Sequence, residues 1–163
     1  MAAYLVIANQ TLGGTALLEA VTLRSTIDRA TIHVVVPATE SVDQPASPAA
    51  SPGEIAQRRL DAALDRFAAA GIEATGEVGD ADPLQAARDA VAKSNYTGLI
   101  ISTLPAGLSR WLHMDFPHKA EREFKLHVEW VEARTDSVDE VTTSRMDAPA
   151  AHMRNLRSPD VDR

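Results

Sequence analysis

The run Tyr4-Leu-Val-Ile-Ala8 is continuously apolar, and it is followed at once by polar residues and by the pair Gly13-Gly14. A short apolar run that ends in turn residues is typical of a strand buried on both faces of a parallel sheet. Between Thr15 and Arg24 the apolar residues recur at helical spacing, which predicts a helix directly after the strand. The chain therefore opens with a predicted strand and a predicted helix.

The same alternation of strand and helix continues along the chain. Further strands are predicted at Thr31 to Val36, Ile72 to Val78, Gly98 to Ser102 and Leu126 to Val131. Further helices are predicted from Glu54 to Gly71, from Pro83 with Asp82 as its N-cap, and from Pro117 to Phe124. Because parallel strands need long crossover connections, this order predicts an α/β fold, a five-stranded parallel sheet with helices on both faces.

The length of 163 residues, with 45% apolar and 24% charged residues, predicts one globular domain. We place this domain at residues 1–133. From residue 134 to 163 only scattered apolar residues stand among many charges, which predicts a mostly disordered C-terminal tail. The segment from Ala38 to Gly53 is rich in proline and small polar residues, and we expect it to be a mobile loop.

The charge balance and the absence of cysteine narrow the classes of partner and of site to be expected. With 16 basic and 23 acidic residues the net charge is -7, which disfavours binding to nucleic acid or to an anionic membrane. The chain has no cysteine, so it has no disulfide, no thiolate metal site and no cysteine nucleophile. No apolar run approaches the roughly 20 residues that span a bilayer, and no secretory signal is visible. We therefore expect a soluble, cytoplasmic protein.

A small ligand of a parallel sheet binds outside the carboxyl ends of the strands. The candidate binding residues at these ends are Asn9, Val36, Thr103, Gly107, Ser109 and Arg110. Together with Ser102, the hydroxyl groups and the guanidinium after the fourth strand would suit a phosphate or a carboxylate. The alternative is that the hydroxyl groups cap the loop and that Arg110 faces solvent.

The chain lacks the common catalytic signatures, including the nucleophile elbow of hydrolases, the P-loop and the dinucleotide-binding glycines. His113, Asp115 and His118 would be acceptable zinc ligands, but Pro117 interrupts the segment and a spacing of five does not place both histidines on one helical face. We predict that Asp115 caps a helix instead. No metal site and no catalytic residue are assigned.

Two segments carry a resemblance to a known family. Val78-Gly-Asp-Ala-Asp-Pro83 precedes a helix, and Leu99-Ile-Ile-Ser-Thr103 precedes a loop that contains Gly107-Leu-Ser-Arg-Trp-Leu112. In this order the elements resemble the universal stress protein family over about residues 3 to 133. The resemblance implies a Rossmann-like α/β fold, frequent dimers, roles in stress tolerance and, in one branch, binding of ATP or a related adenine nucleotide.

The ATP-binding branch of that family carries a glycine pattern after the fourth strand, and this chain departs from it. Aligned without gaps, the four key positions fall on Ser102, Pro105, Asp115 and Phe116. Proline offers no N–H group, and Asp115 would place a carboxylate where phosphate charge belongs. A two-residue gap aligns Gly107 with the second glycine but leaves the final Gly-Ser/Thr pair missing. The aspartate that often ends the first strand in nucleotide-binding members corresponds most nearly to Asn9.

These comparisons predict a stress-associated binding or regulatory protein of this type, without the usual ATP site and without a catalytic role. The alternative is a protein that binds ATP, AMP or another small molecule through the loop at 102–110, with weak nucleotide hydrolysis as one variant. If the chain is a regulatory protein, we expect it to bind a protein partner, which the sequence does not identify.

The resemblance also implies a homodimer through the last strand, where Leu126, Val128 and Trp130 share one face. A strand at the edge of a sheet leaves backbone N–H and C=O groups unpaired, and a second copy would satisfy them. The alternative is that Trp130 faces the helices of its own chain.

Overall fold

The structure is a computed structural model, and it describes residues 2–39, 50–105 and 108–134. Most of the predicted loop over 38–53 and nearly all of the predicted tail over 134–163 lie outside the described residues. The division into a domain at 1–133 and a disordered tail therefore stays a prediction.

Five parallel strands form one sheet in the order β3-β2-β1-β4-β5. They are β1 (Ala3–Ile7), β2 (Thr31–Pro37), β3 (Ala74–Gly79), β4 (Gly98–Thr103) and β5 (His127–Glu132). The predicted α/β class and the five strands are confirmed. The third strand begins later than predicted because the backbone N–H of Ile72 still donates to the carbonyl of Phe67, in the helix before it. Strand order reverses between β1 and β4, which lie side by side at the centre.

Helices cover both faces of this sheet, as predicted. They are α1 (Thr15–Ile27), α2 (Pro52–Ala69), α3 (Pro83–Lys93), α4 (Arg110–His113) and α5 (Phe116–Phe124). The connections from β1 to β3 run toward one edge and the later connections run toward the other. Because such crossovers are right-handed, α1 and α2 pack on one face and α3 to α5 pack on the opposite face.

Alternate residues of the central strands supply the two cores. Val6 faces the α1 and α2 side, where it joins Leu60 and Phe67, whereas Ile7 faces the α3 to α5 side. On that second side Trp111 meets Phe116 edge to face, with ring centroids 5.6 Å apart. Each fully buried large apolar side chain contributes about 1.5–3 kcal/mol, so these two cores hold the carboxyl ends of the strands at fixed positions.

The ends of the helices follow their capping residues. Helix α2 starts at Pro52, earlier than predicted, because the Ser51 hydroxyl accepts a 3.2 Å hydrogen bond from the backbone N–H of Glu54. The predicted loop therefore ends before Gly53. Gly71, with φ of +77°, closes this helix as predicted. Asp82 caps α3 as predicted, since its carboxylate accepts from the N–H of Leu84 at 3.0 Å.

Asp115 occupies the predicted N-cap position of α5, but its side chain makes no capping hydrogen bond. Its backbone is left-handed, with φ of +56°, and the carboxylate is engaged by His118 instead, whose Nδ1 lies 2.6 Å from Oδ1. Within the residues described, none of the helices combines the length and the apolarity that a membrane crossing demands.

Candidate functional site

Asn9 ties the carboxyl end of β1 to the carboxyl end of β2. The register pairs Ile7 with Val35, so Asn9, two residues after the end of β1, comes to lie beside Pro37. The Asn9 Nδ2 group donates to the Pro37 carbonyl at 2.7 Å, and the Asn9 side chain is buried, with the residue only 8% exposed. The sequence correctly placed Asn9 at this edge of the sheet.

Arg59 reaches the same asparagine from helix α2. Its guanidinium donates to Asn9 Oδ1 at 2.5 Å, so the amide oxygen and the amide nitrogen of Asn9 are both used by its own chain. Arg59 is half-buried, and desolvation by this burial lowers the pKa of its guanidinium. Sequence reasoning did not select Arg59. A usable signal was its place on α2, beside the stripe of buried residues that includes Ala56 and Ala63.

A second arginine of α2 contacts the loop after β1. Arg66 lies seven positions after Arg59, so the two share one side of the helix. The Arg66 guanidinium donates to the carbonyl of Gly13. The pair Gly13-Gly14 therefore faces a cation, in addition to easing the turn into α1.

A pair of buried hydroxyl groups bridges the point where strand order reverses. Thr11 Oγ1, in the loop after β1, lies 2.6 Å from Ser102 Oγ at the end of β4, and the two residues are 5% and 2% exposed. Ser102 was part of the predicted hydroxyl cluster, whereas Thr11 was not selected because its partner lies far away in the sequence.

The neighbouring Thr103 points to the opposite face of the sheet. Its hydroxyl accepts a hydrogen bond from the Trp130 indole N–H at 2.8 Å, and Thr103 is 2% exposed. The predicted binding residue is thus engaged by β5 of its own chain. Trp130 itself stays 46% exposed.

Of the remaining predicted residues, Val36 is fully buried in the core beneath α1 and α2, where it supplies packing and no polar contact. The Ser109 hydroxyl accepts from the backbone N–H of Leu112 at 3.3 Å, which favours the capping alternative for this serine. Gly107 lies outside the described residues, and the side chain of Arg110 is not described either. The structure therefore gathers Asn9, Ser102 and Thr103 at one edge and gives Ser109 a local role.

Comparisons with known proteins bear on the fold. No protein-family model matches the chain, and no curated protein matches it by sequence. Among solved structures it is similar to one described as "Crystal structure of universal stress protein in complex with cAMP", with a TM-score of 0.51 over 82% of this chain and 98% of that one. The chain has the universal stress protein fold. The sequence identity is 21%, so the similarity concerns the fold.

In this universal stress protein fold, the polar side chains at the carboxyl edge form hydrogen bonds to one another and to the backbone. No buried side-chain N or O atom lacks a hydrogen-bond partner in the described part of the chain. The described residues also contain no group of three histidine, aspartate or glutamate side chains that would hold a metal ion. The hydroxyl and amide groups of this edge are thus engaged within the chain, and the feature that remains for a ligand is the positive charge of Arg59 and Arg66.

Proposed function

We propose that this protein is a stress-associated binding or regulatory protein of the universal stress protein type that does not hold ATP in the usual mode of that family. The observation that carries the proposal is the state of Asn9. At this position the resemblance places a ligand-binding aspartate, but here the amide bonds Pro37 and Arg59 of its own chain. A nucleotide would have to break these contacts before it could form its own.

The loop after β4 supports the same proposal. The backbone carbonyl of Pro105 accepts from the N–H groups of Leu108 and Ser109, at 3.0 and 3.3 Å. These N–H groups are therefore directed back into the loop, whereas a phosphate-binding loop directs them at the ligand. Asp115, at a position where the family pattern has glycine, carries a half-exposed carboxylate that would repel phosphate.

Titration calorimetry with ATP tests the proposal. We expect a dissociation constant in the millimolar range or weaker, because each missing charge-assisted hydrogen bond costs about 1.5–3 kcal/mol. Titration with ADP and AMP separates the contribution of the phosphates from that of the base. A dissociation constant for ATP in the low micromolar range, or ATP that copurifies with the protein, would contradict the proposal.

The second candidate function is binding of a smaller adenine nucleotide, and one observation favours it. The solved universal stress protein to which this chain is similar is in complex with cAMP. Cyclic AMP carries one phosphate, so it needs fewer backbone donors than a triphosphate does. Micromolar binding of cAMP or AMP together with weak binding of ATP would favour this second function, and no binding of either would reject it.

We also propose a cytoplasmic homodimer that pairs through β5. The cysteine-free sequence suits a reducing compartment, and β5 lies at an edge of the sheet with Trp130 46% exposed. Val128 packs against the core of its own chain, and Glu129 already binds Arg24 at 3.0 Å. The exposed part of Trp130 is therefore the surface that a second copy would cover.

Sedimentation equilibrium of a Trp130→Lys variant tests this interface, because the added charge would be buried in the dimer and solvated in the monomer. We expect the variant to be monomeric at concentrations where the unmodified chain is dimeric. Gln57→Lys adds the same charge to the exposed side of α2 and is expected to leave the dimer intact. A monomeric unmodified chain at micromolar concentration, or a dimeric Trp130→Lys variant, would refute the interface.

A further inference from the structure

Among the described residues, the arginines with hydrogen bonds or ion pairs fall into two groups by the partners they contact. Several bind carboxylates: Arg24 binds Asp28 and Glu129, Arg88 binds Glu123, Arg122 binds Asp115, and Arg134 binds Glu19. Arg59 and Arg66 differ, since their contacts among the described residues are to the neutral oxygens of Asn9 and Gly13. We call these two residues the α2 arginine pair. Carboxylates outnumber cations in this chain, so the lack of an acidic contact within the described residues is informative.

Helix α2 itself supplies no counter-charge to the α2 arginine pair. Side chains three and four positions apart are the neighbours on a helix surface. At those positions Arg59 has Ile55, Ala56, Ala62 and Ala63, and Arg66 has Ala62, Ala63, Ala69 and Ala70. Every one of these neighbours is apolar, and all but one are alanine, so the helix presents two cations on a surface of small side chains.

Each guanidinium also has unused capacity for hydrogen bonds. A guanidinium carries five N–H donors in a rigid fork that matches the oxygens of phosphate and carboxylate groups. One nitrogen of Arg59 is directed at Asn9, and one nitrogen of Arg66 is directed at Gly13. Both side chains are only half-buried, so a solute can reach the remaining donors. Because partial burial removes some of the water around each cation, contact with a negative group stabilises it more than the same contact stabilises a fully hydrated arginine.

We propose that the α2 arginine pair binds a small oxyanion ligand, one that bears phosphate or carboxylate groups, beside the loop from Asn9 to Gly14. The two arginines lie about 10 Å apart along the helix axis, at a rise of 1.5 Å per residue. A ligand with two linked negative groups therefore suits the pair better than a single ion does. This site uses α2 and the loop after β1 and does not use the loop at 102–110. It shares the contact between Arg59 and Asn9 with the proposed function.

Calorimetry at low ionic strength tests the proposal with three probes: inorganic pyrophosphate, inorganic phosphate and succinate. The net charge of -7 works against non-specific attraction of anions, so measurable binding requires a local site. We expect pyrophosphate to bind more tightly than single phosphate. The ratio of pyrophosphate to succinate affinity distinguishes a phosphate-bearing from a carboxylate-bearing ligand.

Three substitutions locate the binding. Arg59→Gln and Arg66→Gln are each expected to weaken pyrophosphate binding about tenfold or more, since each removes charge-assisted hydrogen bonds. Arg58→Gln is the matched control, because it removes the same charge from the residue directly before Arg59, and the Arg58 side chain is exposed. We expect Arg58→Gln to change the affinity less than about threefold, as screening limits the effect of an exposed charge.

Asn9→Asp gives an independent measurement if an arginine variant does not fold. It supplies Arg59 with a carboxylate from its own chain, and it is expected to reduce pyrophosphate binding. No binding of any probe by the unmodified chain, unchanged binding in Arg59→Gln, or an equal loss in Arg58→Gln would each overturn the proposal. Tight ATP binding that persists in Arg59→Gln would contradict the proposed function but would leave this site unaffected.

Discussion

Replacing Asn9 with alanine is expected to lower the free energy of unfolding by about 2–3 kcal/mol. The substitution removes the 2.7 Å bond to the Pro37 carbonyl and the 2.5 Å bond from Arg59. The Pro37 carbonyl lies at a buried position, and a buried group left without a partner costs about 1–3 kcal/mol. Arg59 is half-exposed and can turn toward water, so its lost contact adds about 1 kcal/mol or less.

Urea unfolding followed by circular dichroism measures this difference, and the slope of the transition shows whether the native state stays equally compact. Arg59→Gln is the companion variant. It is expected to cost less than about 1 kcal/mol, because the asparagine keeps its bond to Pro37 and its oxygen becomes accessible to water. The double variant Asn9→Ala with Arg59→Gln gives the coupling between the two side chains.

The order of these two effects decides the physical account. If Arg59→Gln destabilises the fold more than Asn9→Ala does, then Arg59 is a structural side chain and the Pro37 contact is secondary. That result would refute the reasoning, because the reasoning assigns most of the stabilisation to the buried hydrogen bond between Asn9 and Pro37.

Two further predictions concern β3, the edge strand that pairs with β2. Gly76→Ala should lower stability by about 1–3 kcal/mol by thermal unfolding, because the new Cβ would lie 2.8 Å from the backbone carbonyl of Val34; an unchanged midpoint would contradict this close approach. Burial of Glu77 opposes its ionisation, but hydrogen bonds from Lys93 and His33 outweigh burial and lower its pKa below 4.5. The stabilising contribution of ionised Glu77 is therefore present above pH 4.5 and is lost as the pH falls through the lower folded value. In urea titrations at several pH values, the free energy of unfolding of Glu77→Gln should fall less on acidification than that of the unmodified chain, by under about 1 kcal/mol. An equal fall in both proteins would refute the assignment.

The class of fold could be predicted because it is encoded in local patterns. Continuous apolar runs such as Tyr4 to Ala8 and Leu99 to Ile101 mark strands covered on both faces, and these two strands are neighbours at the centre of the sheet. The strand from Ala74 to Gly79 lies at an edge and is only partly buried, so its apolar signal was weak and its start was misplaced. The resemblance to universal stress proteins was confirmed at the level of the fold.

The candidate site could be predicted only in part, because much of it depends on contacts between distant residues. The positions of Asn9 and Ser102 at the carboxyl edge could be predicted, since Asn9 follows the first predicted strand and Ser102 is the last residue of the fourth; their role as binding residues stays a prediction. Arg59 lies 50 positions after Asn9, and Thr11 lies 91 positions before Ser102, so no local pattern joins either pair. For Ser109 the choice between ligand and cap depended on whether a helix follows, and the short helix α4 favoured the cap.

The position of the two tryptophans makes this chain its own optical probe. Trp111 is 8% exposed and packs edge to face on Phe116, whereas Trp130 is 46% exposed and donates its indole N–H to Thr103 at the carboxyl edge. An indole in an apolar core emits at shorter wavelength than one in contact with water, so the two residues contribute to separate parts of the emission spectrum. The red part of that spectrum reports on the outer strand, and quenching by iodide reaches it first. Any event that covers β5 or breaks its bond to Thr103 is therefore visible in the unlabelled protein.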